Sequence, residues 1–242
     1  MSAIAEPAEK PPLLCIGHSH LHCVQRASAE TGIVIEAINF WDDNSVVCDY
    51  PDNPTLTPAL QQRFRDHAGT IFSFIGGGAH SVVGLVSHPR RIDFVLPQAP
   101  SLALDPRAEI LPVAAVRAML VEQIQPYLKL MRHVSSLAQR RVVHMEPPPP
   151  CGDSERMLRF IPWGLFPGML KEIAPRPLHY KLWRLHSEIV ASHCADYGMD
   201  FDAYPGEAIG ADGFLRPEFF HDGVHGNNGY GALLLKRMQE LA

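Results

Sequence analysis

The chain has 242 residues, 46% apolar and 19% charged, with 26 acidic against 21 basic side chains and a net charge of −5. That length supports one large domain whose core removes roughly 70–75% of the unfolded chain's surface from water. The composition excludes a largely disordered chain, and the acidic balance excludes a nucleic-acid binder held mainly by phosphate neutralisation.

Residues 1–12 are expected to form a flexible tail, and residues 13–242 a single domain. The tail carries Glu6, Glu9, Lys10 and three prolines where a signal peptide would place its apolar stretch. No later run approaches the ~18 apolar residues of a membrane span. The five cysteines, Cys15, Cys23, Cys48, Cys151 and Cys194, include no Cys-x-x-Cys pair. Together these features predict a cytoplasmic chain with reduced thiols.

Leu13 to Ile16 reads as a first strand that ends at Gly17 and passes into a helix over His18 to Glu30, where Leu21, Val24 and Ala27 recur at helical spacing. Ile33 to Phe40 is rich in β-branched residues and predicts a second strand, closing on the polar turn Asp42-Asp43-Asn44-Ser45. Thr57 before Pro58 is a helix-start signal, and a short helix is expected to His67. Thr70 to Ile75 predicts a third strand, running into Gly76-Gly77-Gly78. A long helix is expected over Pro112 to Arg140, bent by Pro126. Arg141 to Met145 is a fourth strand, Leu178 to Tyr197 a helix, Met199 to Tyr204 a fifth strand and Tyr230 to Leu241 a last helix. This alternation predicts an α/β fold with a parallel sheet flanked by helices.

Two segments fall outside the alternation, 87–111 and 146–177, the second holding eight prolines. Both follow strand ends, where ligands bind in open parallel sheets, so both are candidate walls of a site. Phe160, Trp163 and Phe166 either give one wall an apolar face or pin the loop to the core.

Three clusters lie where strand-to-helix turns should open: Gly17-His18-Ser19-His20, Gly76-Gly77-Gly78-Ala79-His80 and Asp222-Gly223-Val224-His225. A serine at a helix start can serve as a nucleophile beside backbone N–H groups, or merely cap the helix. Asp222 and His225, three apart in a tight turn, can set a carboxylate against one ring nitrogen while the other nitrogen faces a nucleophile. Alternatively Asp222 makes an Asx-turn and His225 simply begins the helix.

Together the clusters resemble the SGNH (GDSL-like) hydrolase superfamily, in which the nucleophile follows the first strand and an Asp-x-x-His block precedes the last helix. His225-Gly226-Asn227 followed by Tyr230-Gly231 extends the likeness, which spans about Leu13 to Leu241. The resemblance implies a flavodoxin-like three-layer α/β/α sandwich that hydrolyses carboxylic esters or thioesters through a serine acyl-enzyme, without metal or other cofactor. Ser19 would be the nucleophile, His225 the general base and then acid, and Asp222 its orienting partner. The implied partner is a small-molecule or glycan ester; no nucleic acid is expected, and the oligomeric state is left open.

The chain departs from that pattern in two places. The first block has His18 where an acidic residue is usual. Gly78 stands where the family's third-block asparagine helps hold the oxyanion, and loss of one such donor costs roughly 10²–10³ in turnover. The Gly78 backbone N–H, His80 or another loop could fill the gap. The second-block glycine is sought in the turn around Asn44.

Two other functions remain open on the sequence. The His18, His20 and His22 cluster, joined by His80, His144, Glu146 or Asp222, suits a metal-dependent hydrolase that activates water directly. The loss of a side chain at Gly78 suits an SGNH-fold binding module with weakened catalysis. Elsewhere, Cys23 is expected to fill the inner face of its helix, the Pro147 to Pro150 run to form a stiff turn, and Arg90 and Arg91 to be solvated.

Overall fold

Apolar strands alternating with amphipathic helices dictate the architecture. The computed structural model describes residues 12–41, 47–48 and 54–242. Its first half runs β1 (Leu13–Gly17), α1 (Leu21–Thr31), β2 (Ile35–Asn39), the short strands β3 (Val47–Cys48) and β4 (Thr55–Leu56), α2 (Pro58–Asp66), β5 (Ile71–Phe74) and α3 (Ala79–Gly84). The second half runs through the short strands β6 (Ile92–Asp93) and β7 (Glu109–Ile110), then α4 (Val113–Leu137), β8 (Val142–Met145), α5 (Ser154–Phe160), α6 (Arg176–Asp196), β9 (Asp200–Asp202) and α7 (Asn228–Leu241).

The strands β2, β1, β5, β8 and β9 form a single sheet in that order, with every pairing parallel. This is the flavodoxin-like order, whose winding reverses between β1 and β5, and the crevice outside the carboxyl ends of those two strands is where such sheets bind ligands. Ser19 follows one of these strands and Gly76-Gly77-Gly78 the other.

Period-two alternation divides the strand side chains between two cores. Leu14, Ile16, Ile71 and Val142 pack with Phe64 of α2, Leu120 and Met131 of α4, and Leu185 of α6. Cys15, Phe72, Phe74 and Val143 face Leu21 and Val24 of α1 and Leu234 and Met238 of α7. The result is a three-layer α/β/α sandwich. Among the described residues no helix is long and apolar enough to cross a membrane.

Most predicted elements lie within a few residues of their expected positions. Thr57 caps α2 as expected, its hydroxyl accepting from the Leu60 N–H at 3.4 Å. The long helix α4 continues through Pro126; the ring removes one bond to residue 122, and Glu122 is exposed, so the loss falls on the solvent side. The expected turn at Asp42 to Ser45, the region around Asn44 and most of the expected tail lie outside the described residues.

The two excursions are tied down by polar anchors. In 87–111, the buried Lys181 ammonium of α6 reaches the Asp93 carboxylate and the Ala103 carbonyl, the latter at 3.3 Å, while Asp93 also accepts from the Phe94 and Asp105 N–H groups. Arg91, expected to be solvated, instead pairs with Glu172 and lies 3.8 Å from Asp105, joining one excursion to the other. In 146–177, Pro147, Pro148 and Pro149 are buried, and the Pro147 and Pro150 carbonyls accept from the Trp183 indole at 3.4 Å and the Leu215 N–H at 3.0 Å. The proline run is a stiff internal turn. Trp163 and Phe166 pack on the α1/α7 core, while Phe160 is exposed.

Candidate active site

The geometry starts at Gly17. A Cβ there would lie 2.6 Å from the Phe74 carbonyl carbon and oxygen on β5, and φ is +151°, so only glycine admits the approach of the two strand ends. The chain then turns through His18 to His20 before α1, with the Leu21 N–H donating to the His18 carbonyl at 2.9 Å. Ser19 lies inside this turn. His20 holds the cap position, without a side-chain capping bond. The serine hydroxyl is therefore not used as a helix cap.

At the far end of the chain, Asn227 caps α7: its side-chain oxygen accepts from the Tyr230 N–H at 3.2 Å and its amide donates to the Glu218 carbonyl at 2.7 Å. Just before this cap, Asp222 Oδ1 accepts from the Val224 and His225 N–H groups, both at 2.7 Å. Its other oxygen, Oδ2, lies 2.8 Å from His225 Nδ1. Both roles open to Asp222 on the sequence thus hold at once, one for each oxygen. A carboxylate can only accept, so the ring proton is assigned to Nδ1, which leaves the Nε2 lone pair toward Ser19 Oγ at 2.8 Å.

Burial pushes the Asp222 carboxyl up, yet the hydrogen bond and charge of His225 and the two backbone N–H groups outweigh it and hold the carboxyl well below the usual carboxylate range. The turn is itself supported by α5. Arg156 donates to the His221 carbonyl at 3.0 Å, and Met157 packs against Gly223. Nothing in the spacing of the sequence pointed to Arg156.

The three histidines near Ser19 have separate occupations. His18 is buried, and its Nδ1 accepts from the Gly76 N–H at 3.1 Å, which holds the glycine turn against the end of β1. Burial pushes the His18 imidazole down to about 4, so the ring is neutral near pH 7. His22 Nε2 lies 2.9 Å from the Asn39 amide at the end of β2. His20 is turned toward the glycines: a Cβ at Gly77 would lie 2.9 Å from its ring, and one at Gly78 3.0 Å from its Nε2. These divergent partners do not make a shared metal-binding set. Among the described residues no three His, Cys, Asp or Glu side chains are gathered as metal ligands.

Of the residues singled out on the sequence, Ser19, Asp222 and His225 are brought into one hydrogen-bonded chain. Gly78 faces His20. His80 is buried on α3 with its ring centroid 5.1 Å from that of His186, so it belongs to an internal group of imidazoles that burial keeps neutral. His144 is likewise internal, 3.2 Å from the Ser73 hydroxyl, and Glu146 is buried, accepting from the Tyr204 N–H at 3.3 Å. A cavity of about 20 Å³ touches the Asp222–His225 turn at Gly223 and Val224, lined otherwise by residues that include His80, Leu85, Met157 and Leu182.

No protein-family model matches the chain, and no curated protein matches its sequence. Solved structures similar to it include a carbohydrate acetylesterase from Sinorhizobium meliloti, at 13% identity and TM-score 0.43 over 96% of this chain and 98% of that one. A GDSL-like lipase from Bacteroides thetaiotaomicron has 13% identity and TM-score 0.42 over 96% and 89% of the two chains. The aryl esterase of M. smegmatis has 13% identity and TM-score 0.42 over 96% and 100%. Identity at this level assigns no role to any residue of this chain, and the site is read from its own geometry.

Proposed function

We propose that this chain is a serine hydrolase of carboxylic esters, with Ser19 as nucleophile, His225 as general base and then acid, and Asp222 as the residue that orients His225. The observation that carries this reading is the unbroken chain from Ser19 Oγ to His225 Nε2 and from His225 Nδ1 to Asp222, set at the reversal point of the sheet. Hydroxyl, imidazole and carboxylate at such distances form the arrangement that activates a serine for acyl transfer.

In the reaction, Ser19 Oγ attacks the ester carbonyl carbon while its proton passes to His225 Nε2, and the carbonyl electron pair moves onto oxygen. Asp222 stabilises the imidazolium so formed, and two backbone N–H bonds hold it to one orientation. Collapse breaks the bond to the leaving alcohol, which takes the proton from His225. A water molecule then repeats the sequence on the acyl-enzyme, releasing the carboxylic acid and returning the proton to Ser19. The motif resemblance to SGNH hydrolases supports the same reading.

Turnover of p-nitrophenyl acetate by the wild type, reduced at least about 10³-fold in both Ser19→Ala and His225→Ala, is the expected result. Undiminished turnover in Ser19→Ala would overturn the proposal. Ligand binding without any turnover would make the chain a binding module.

A further inference from the structure

Attack on an ester carbonyl places a negative charge on its oxygen, and a site that stabilises this charge supplies hydrogen-bond donors aimed at it. The first two turns of the crevice bring one such group forward. His20 is 6% exposed, and its Nε2 is buried without a hydrogen-bond partner. A buried polar atom left unpaired is costly, so it calls for a reason. Its position supplies one. The ring belongs to the residue next to Ser19 in the chain, its centroid lies 4.9 Å from that of His225, and its Nε2 edge lies against Gly77 and Gly78, where a Cβ at Gly78 would stand 3.0 Å from Nε2.

We infer that His20 is a catalytic residue of this site: its neutral imidazole donates a hydrogen bond from Nε2 to the oxyanion formed when Ser19 attacks the substrate carbonyl. The assignment rests on the serine-hydrolase reading above. The absence of side chains at Gly77 and Gly78 is what lets the ring stand there, because any Cβ at Gly77 would meet it inside van der Waals contact. The donor has to be neutral, since an imidazolium beside His225 would disfavour the positive charge that His225 takes up in the same step. Burial and the neighbouring His225 both keep the His20 ring uncharged. No proton leaves His20 during turnover: the Ser19 proton goes to His225 and then to the leaving alcohol, and the Nε2–H bond stays intact throughout.

The reverse geometry provides a second test. Because a Cβ at Gly78 starts 3.0 Å from His20 Nε2, an asparagine there can carry its amide into the volume of the missing ring once residue 20 is made small. Four proteins decide the matter: wild type, His20→Leu, which keeps apolar bulk but has no donor, His20→Ala, and His20→Ala/Gly78→Asn.

With p-nitrophenyl acetate, His20→Leu is expected to lose about 10²-fold or more in kcat with KM changed less than about threefold, as for removal of one oxyanion donor. The double variant is expected to recover kcat by about tenfold or more over His20→Ala. A fluorophosphonate should still label Ser19 in all of them, more slowly where the donor is missing. Full kcat in His20→Leu, a loss confined to KM, or no recovery in the double variant would each overturn the assignment of His20 while leaving Ser19 as nucleophile. Absence of Ser19 labelling in the wild type would instead overturn the hydrolase reading itself. Should His20→Leu fail to fold, judged by circular dichroism, the comparison of His20→Ala with His20→Ala/Gly78→Asn carries the test alone.

Discussion

Ser19 Oγ and His225 Nε2 stand 2.8 Å apart although 206 positions separate them in the chain. What joins them is the packing of α1 on α7. Gly231 lies so close to α1 that a Cβ there would sit 2.1 Å from the Cys23 carbonyl oxygen, and Arg26 donates to the Asn228 side chain at 2.8 Å. Each helix starts within a few residues of one member of the pair, so the helix contact sets the distance between hydroxyl and imidazole.

Gly231→Ala tests this dependence. The added methyl must push α7 away from α1, and a displacement of about 1 Å at the site is enough to cost roughly 10²-fold in turnover. Activity is expected to fall by that order while the circular dichroism spectrum stays native. Wild-type kcat in Gly231→Ala would show that the helix contact does not govern the site.

Asp222→Asn keeps the turn but changes the ring. An amide can still accept the two backbone N–H bonds through its oxygen, yet it has no negative charge to hold the proton on Nδ1 or to stabilise an imidazolium. A loss of roughly 10³–10⁴-fold in kcat is expected, with little change in melting temperature. A large stability loss with a proportionate activity loss would make Asp222 a structural residue of the turn only.

Acid should destabilise the fold before it protonates ordinary carboxylates. Burial lowers His18, His179 and His186 to about 4 and His144 to about 3, against 6.5 for a free imidazole. The unfolded chain therefore binds protons that the folded chain does not. Stability is complete above pH 6.5 and falls as pH drops from there toward 4. Asp222, lowered from 3.8, adds stability that is lost only at still lower pH. The urea midpoint at pH 5 should lie below that at pH 7, and the gap should narrow in His186→Leu. Equal midpoints at the two pH values would contradict the burial of neutral imidazoles.

The ion pair that anchors 87–111 has a different signature. Lys181 and Asp93 are both buried, and removing one charge strands the other, at a cost of about 3–5 kcal/mol. Asp93→Ala should lower stability by that order. Lys181→Met/Asp93→Leu should be less destabilised than Asp93→Ala, because no lone charge remains. The two unfolding free energies, measured in urea, check this directly.

The central strands are legible because most carry an apolar run ending in a turn residue, and the parallel sheet follows from helices between them; their order in the sheet is not written in that alternation. Asp222 and His225 were legible because both jobs of the carboxylate fit one three-residue turn. Other features were not. The short α3 starts on glycines and carries no amphipathic stripe, while β6 and β7, at two residues each, are below any periodicity. The capping of α5 by Asp153, which accepts from the Arg156 N–H at 3.0 Å, lies in a segment whose eight prolines carry a loop signal stronger than one cap. His20 read as part of a His-x-His metal pattern, because spacing along the chain cannot show that three neighbouring histidines point to three different partners.

Treatment of the wild type and the Ser19→Ala and His225→Ala variants with a fluorophosphonate, followed by peptide mapping, tests the central claim most directly. The account requires a single adduct on Ser19 in the wild type, none in Ser19→Ala and strongly slowed modification in His225→Ala. An adduct on another residue, or a rate unchanged by loss of the imidazole, would contradict it.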